Sequence, residues 1–205
     1  MSTIAPASRL LFVSGLKREA AIAHAPGSLA ICGGLDPSLR SGDIVIGTQV
    51  VTDSASVMTD ERVAHELAAR LTAAGERVHL GAVAGVDAPV MTRDAKAELR
   101  KATKASSVDM ESQIAARFAV DRHTPFAVLR VVSDPADRDL PPLVMKAVKS
   151  DGSVDFGAVA LGVMRSPGQT RGLLAGARDS SAAFAALRRC RRLPGLFLGL
   201  GLAHL

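Results

Sequence analysis

Glu111 and Asp134 are the two side chains whose type and placement promise chemistry. Val108-Asp109 closes a predicted short strand just ahead of Glu111, and Ser133-Asp134 follows the apolar run Phe126 to Val132. Their separation of 23 residues fits one intervening helix. Paired carboxylates divide the labour when a glycosidic bond breaks. One, kept protonated, gives its proton to the leaving group; the other, ionised, faces the developing cation. A free Asp titrates at about pH 3.9, so Asp134 qualifies as the acid only if burial or a neighbouring charge such as Glu111 holds it partly protonated. The plainer alternative is a pair of acids capping helices at ordinary strand-to-helix turns.

The elements that must position these acids read as strands alternating with helices. Met110, Ile114 and Phe118 recur at helical spacing and predict an amphipathic helix with that stripe on the core. Phe126 to Val132 has the continuous apolar character of a parallel strand covered on both faces. Ligands of open α/β sheets bind beyond the carboxyl ends of strands, so two consecutive strand–helix units would bring both acids to one edge. Upstream, Arg9 to Gly15 predicts a strand, Leu16 to Ala25 a helix, and Ile44 to Val51 a strand. Asp60 caps a helix carrying Val63, Leu67 and Leu71 and stopped by Gly75. Val78 to Gly85 predicts another strand. Thr92 caps a helix to Lys104, with Lys96, Arg100, Lys101 and Lys104 as a solvated basic face. Leu143 to Lys149 and Phe156 to Met164 predict short helices, and a longer one runs from Gln169 to Arg192. The alternation implies one α/β domain over residues 1–192, a mixed central β-sheet flanked by helices, followed by an apolar tail at 193–205.

Composition narrows the classes. Of 205 residues 48% are hydrophobic, with no Trp or Tyr and six Phe, so the core is built from Ala, Val, Leu and Ile. The two cysteines, Cys32 and Cys190, lie far apart with no ligand at metal-binding spacing, which predicts no metal site and a reduced, cytoplasmic setting. Basic helix residues without aromatic interleaving exclude a nucleic-acid groove. The net charge of +5 is concentrated late: from residue 160 onward there are seven Arg and one acid. Arg188, Arg189, Arg191 and Arg192 directly precede the apolar segment Leu193 to Leu205. Thirteen residues cannot span a bilayer, which takes about 20, but beside clustered arginines they fit the headgroup region of a membrane. Packing on its own domain or on a partner subunit is the other reading.

Asp109-Met110-Glu111-Ser112, with Leu129-Arg130-Val131-Val132-Ser133-Asp134-Pro135-Ala136-Asp137, resembles the paired motifs of the purine nucleoside phosphorylase and nucleosidase superfamily. Gly34-Leu35-Asp36-Pro37-Ser38-Leu39-Arg40-Ser41-Gly42-Asp43 and Leu140-Pro141-Pro142 are similar to the hopanoid-associated phosphorylases within it. The resemblance runs from about Leu10 to Leu193. It implies a nucleoside phosphorylase-like fold and release of adenine from an adenosyl compound, in this subfamily the lipid-linked adenosylhopane. By the same resemblance Asp134, oriented by Ser133, is the acid at purine N7. Glu111 binds the ribose 2′ and 3′ hydroxyls, and Met110 packs on the sugar. The backbone around Ala88 and Val90 meets the adenine edge. Glu19, in Gly15-Leu16-Lys17-Arg18-Glu19, positions an attacking water, and Gly33-Gly34 faces the ribose and an anion.

The chain departs from its relatives at Gly33, where two Gly-rich turns are joined and one βα unit is shortened. No cofactor is implied, and phosphate as co-substrate or water as nucleophile both stand. Relatives commonly associate into homo-oligomers. Residue by residue, Glu19 also reads as a helix-dipole acid, Gly33-Gly34 as a plain turn, and Met110 as a core residue. Two rival functions remain: a non-catalytic nucleoside-binding descendant of the enzyme, and a nucleosidase for small soluble adenosyl thioethers.

Overall fold

The computed structural model describes residues 29–123, 125–140, 170–193 and 195–196. The predicted strand and helix over 9–25 with Glu19, the two helices within 143–164, and the tail from 197 onward lie outside these residues. Six strands are described: β1 Leu29–Gly34, β2 Ile44–Val51, β3 Ser56–Met58, β4 Val78–Gly85, β5 Ser107–Asp109 and β6 Val128–Asp134. With them are four helices, α1 Glu61–Ala73, α2 Arg93–Thr103, α3 Ser112–Asp121 and α4 Thr170–Arg192. The single mixed α/β domain inferred from the sequence is the fold observed, with strand order β3-β2-β4-β5-β1-β6 and a further β2–β6 pairing that closes the sheet on itself.

Period-two alternation sorts the side chains onto two faces. Ile44 and Ile46 of β2 and Leu129 and Val131 of β6 pack with Val63, Leu67 and Leu71 of α1 and Phe184 and Leu187 of α4. Val45, Val128 and Val132 face the other way, joining Cys32, Val83, Phe126 and α3's Ala116 and Ala119. Full burial of a Leu or Val side chain contributes about 1.5–3 kcal/mol, so these two layers hold the closed sheet. Local signals agree at the helix starts. The Asp60 carboxylate accepts from the Val63 N–H at the head of α1, and the Thr92 hydroxyl accepts from the Ala95 N–H at the head of α2.

Three expectations change. The Met110, Ile114 and Phe118 stripe is not the core face of α3: Met110 is 40% and Ile114 55% exposed, while Ser112, Ala116 and Ala119 are buried. Small residues win because α3 lies almost on the backbone of β4; a Cβ on Gly85 would come within 2.7 Å of the Gln113 Cβ. Gly33 and Gly34 are not a turn but the last residues of β1, paired to β5 on one side, with Gly33 also paired to β6 on the other. Finally, β5 and β6 are not parallel neighbours. β1 lies between them, antiparallel to β5 and parallel to β6, so the strands that carry the two acids run in opposite directions.

The start of the apolar tail packs on the domain. Leu196 is buried in the α1–α4 layer, and the Arg70 guanidinium donates to the carbonyls of Gly195 (2.6 Å) and Leu196 (3.1 Å).

Candidate active site

Gly33 is the meeting point. In register it stands opposite Val108 of β5 and Asp134 of β6. On the β6 side the pairing steps from Cys32–Val132 to Gly33–Asp134, leaving Ser133 as an extra residue, a bulge of the kind that re-aims a side chain. A Cβ at position 33 would lie 3.3 Å from Asp134 Oδ2 and 3.2 Å from Val108 Cγ1, so the glycine lets the carboxylate sit against the sheet.

Asp134 is 8% exposed. The Ser133 hydroxyl donates to its Oδ1 at 2.6 Å, and the Lys96 ammonium donates to its Oδ2 at 2.5 Å. Burial pushes the carboxyl above the ordinary carboxylate range; Lys96 and the Ser133 hydrogen bond pull it back without cancelling the rise. Burial outweighs the ion pair here because both partners lie within the protein.

Lys96 overturns the sequence reading of α2 as a solvated basic helix. It is fully buried, and Arg100 on the same helix is half-buried and paired to Asp36 at 2.6 Å, leaving Lys101 and Lys104 in solvent. The missed signal was periodic: Lys96 shares a stripe with Leu99 and Thr103, and Leu99 packs on the core. Asp36 in turn anchors the loop after β1. Burial, acting upward on its carboxyl, is outweighed by the N–H and O–H of Ser38 and by Arg100, so its pKa is lowered.

On the other flank, Asp109 ends β5 and is ion-paired to the buried guanidinium of Arg130. Its Oδ1 accepts from the backbone N–H groups of Ser112 (2.8 Å) and Glu111 (3.2 Å), and its Oδ2 from the Ser112 hydroxyl (2.6 Å). Arg130 closes the network by donating to Ser112 Oγ at 2.9 Å. Asp109 therefore does the capping that the sequence left open for Glu111, whose carboxylate makes no cap bond to the helix. Glu111 is half-buried and near enough for its charge to act on Arg130. The Cys32 thiol, pushed far up by burial, lies within the fields of Asp109, Arg130 and Asp134 alike, so the two flanks are close. Arg130 was legible as the one charge inside the apolar run 126–132.

The segment Val86 to Met91 straps these flanks together. At its start, Val86 N–H donates to the Asp109 carbonyl at 3.0 Å, and the Gln113 side chain donates to the Val86 carbonyl (3.0 Å) and to Asp87 Oδ1 (2.8 Å). At its end, Leu140 N–H donates to the Met91 carbonyl at 2.8 Å and Arg93 N–H to Asp139 Oδ1 at 2.8 Å. Six residues reach at most about 20 Å, which bounds the distance between the turn that carries Glu111 and the loop that follows Asp134. Ala88 is exposed on this strap, and Val90 packs toward Leu35, Ala84 and Val108. Ser133 and Asp134 are hydrogen-bonded and lie against Gly33 and Gly34, Met110 and Glu111 follow β5 on the other flank, and Ala88 and Val90 lie on the strap; Glu19 lies outside the described residues.

A closed mixed sheet flanked by helices, with a buried acid at the end of β6 beside β1, defines an α/β protein. Residues 28–156 match the family described as the phosphorylase superfamily, and the chain belongs to it. Among solved structures, the Campylobacter jejuni 5′-methylthioadenosine/S-adenosylhomocysteine nucleosidase is 14% identical, the match covering 91% of this chain and 100% of that one, with a TM-score of 0.57. The Helicobacter pylori nucleosidase with butyl-thio-DADMe-Immucillin-A is 20% identical over 79% of this chain and 66% of that one, with a TM-score of 0.52. Both likenesses establish the fold. Against the futalosine hydrolase of Helicobacter pylori the match has 25% identity and a TM-score of 0.49 over 54% of this chain; it spans about half of that relative, 55% of its length.

Proposed function

We propose that this protein cleaves the N-glycosidic bond of an adenosyl compound and releases adenine. The strap carries the reading: Val86 to Met91 is tied at one end beside Glu111 and at the other beside the raised-pKa acid Asp134. A base lying along the strap would have its N7 at Asp134 and its ribose toward Glu111. Bond breaking puts negative charge on the purine and positive charge on the sugar. Asp134, protonated, gives its proton to N7 as the electron pair of the C1′–N9 bond moves to the base. Glu111 accepts from the ribose hydroxyls and faces the cationic sugar. The acid works only below its raised pKa, so turnover should fall as pH rises through that value.

The similarity of the sequence segments Gly34–Asp43 and Leu140–Pro142 to the hopanoid-associated phosphorylases favours a lipid-linked adenosyl group such as that of adenosylhopane. The exposed Arg188, Arg191 and Arg192 near the end of α4 favour work at an anionic membrane surface on the cytoplasmic side. No described helix is long and apolar enough to cross a membrane. The experiment is incubation with adenosylhopane and with soluble adenosyl nucleosides, with and without phosphate, followed by mass analysis of both products. Free adenine is expected, and the mass of the sugar product decides between water and phosphate. Binding without release of adenine from any of these compounds would overturn the reading in favour of a nucleoside-binding protein.

Glu111→Gln tests the sugar contact. Each charge-assisted hydrogen bond contributes about 1.5–3 kcal/mol, so calorimetric affinity for a non-cleavable adenosine analogue should drop at least tenfold. Unchanged affinity would remove Glu111 from the ribose.

A further inference from the structure

Lys96 is a costly residue to bury, and its surroundings show what it is for. It is the buried residue of α2, at 0% exposure, and its Nζ has three acceptors: Asp134 Oδ2 at 2.5 Å, the Pro135 carbonyl at 2.9 Å and the Arg138 carbonyl at 3.1 Å. Three acceptors match the three donors of an ammonium group. The charge is thus fully satisfied, and two of its bonds fold the loop after β6 back over the carboxylate. Among the described residues, the other groups around the acid are few. Ser133 hydroxyl lies on Oδ1, the buried Cys32 thiol approaches from β1, and Asp179 on α4 adds a weaker negative field that Arg138 neutralises at 2.8 Å. Asp139 in the same loop also lies within the field of Lys96.

We propose that Lys96 is a positioning residue for Asp134: its ammonium fixes the acid and the loop above it, and stabilises the carboxylate that remains once the proton has gone to the purine. This rests on the reading of Asp134 as the acid given above. In the step, the Asp134 O–H bond breaks and an N7–H bond forms as the C1′–N9 electron pair passes to the base, and the cationic C1′ is captured by water or phosphate. The new carboxylate charge then faces a cation already in place. Without that cation the carboxyl holds its proton more tightly and is a poorer donor.

Lys96→Met removes the charge while keeping the bulk of the stem. The high-pH limb of kcat/KM should then move upward by about one to three pH units, and kcat below the limb should fall about a hundredfold. Lys96→Arg, which restores a cation, should return the limb toward its original position. If Lys96→Met does not fold, Lys96→Gln serves as the neutral variant. A clamp that only braces the loop would lower the melting temperature and kcat but leave the limb where it was, and that result overturns the proposal. Carbon-13 NMR titration of the Asp134 carboxyl gives the same answer without turnover: it should titrate at higher pH in the neutral variant than in the wild type. An unmoved carboxyl titration would reject the role of Lys96, whereas a moved one in a protein that releases no adenine would reject the assigned reaction alone.

Discussion

Asp134→Asn should abolish almost all turnover while leaving nucleoside binding nearly intact. The amide fills the same volume against Gly33, its one oxygen can accept from Ser133 or from Lys96, and Lys96 keeps its two carbonyl acceptors, so the surroundings keep their shape. It has no proton to give to a departing base. General acid catalysis contributes about 10²–10⁴-fold, and the expected loss in kcat lies in that range with little change in KM. Leaving groups that need no protonation, such as a nitrophenyl riboside, should be cleaved with a much smaller loss. Equal losses on both substrates would mean that position 134 serves shape rather than proton transfer. Stability adds a second sign. The folded state binds the Asp134 proton more tightly than the unfolded chain does, so this group lowers stability as pH rises from the unfolded pKa through the raised folded one. The Asn variant should lose that part of the pH dependence.

The largest effect on stability is expected at Arg130. The side chain is 2% exposed inside β6 and its partner Asp109 is 7% exposed, with Ser112 completing the network. Arg130→Met would keep the volume but leave a buried carboxylate without its cation, a change that costs about 3–5 kcal/mol. Urea unfolding measures it directly. Asp109→Asn should be destabilising too, and the double variant should lose less than the two single losses combined, because it leaves no uncompensated charge. Strict additivity would show that the ion pair is not what couples β5 to β6. Since the Asp109 carboxylate also holds the backbone N–H groups of Glu111 and Ser112, these variants should loosen the site as well as the fold.

Much of this arrangement could be read from the chain because the signals were local. Asp60 and Thr92 cap helices where their residue types said they would, and Val63, Leu67 and Leu71 bury the face their spacing marked. The run from Val128 to Val132 is a strand because it is apolar on both sides, and it is buried throughout. β3 escaped notice, being a three-residue hairpin partner of β2 with no apolar alternation. What failed depended on contacts distant in sequence. Strand direction at β5 and β6 is set by β1 threading between them, so the two strands flank Gly33 in opposite directions and the acids that follow them do not share one carboxyl-end edge. Lys96 looks like a solvated residue until the loop after β6 supplies its carbonyls. The exposed Met110 and Ile114 show that an apolar stripe yields to small residues where a helix must approach a strand backbone. Gly33 and Gly34 read as a turn from composition alone, but their lack of side chains serves the close approach of Asp134 and Val132.

A crystal structure with a non-cleavable adenosine analogue tests the central claim most directly. The expected density places the base along Val86 to Met91, with N7 within hydrogen-bonding distance of an Asp134 carboxyl oxygen and the ribose hydroxyls on Glu111. A ligand bound with both acids on the same group, or bound away from Gly33 altogether, would contradict it.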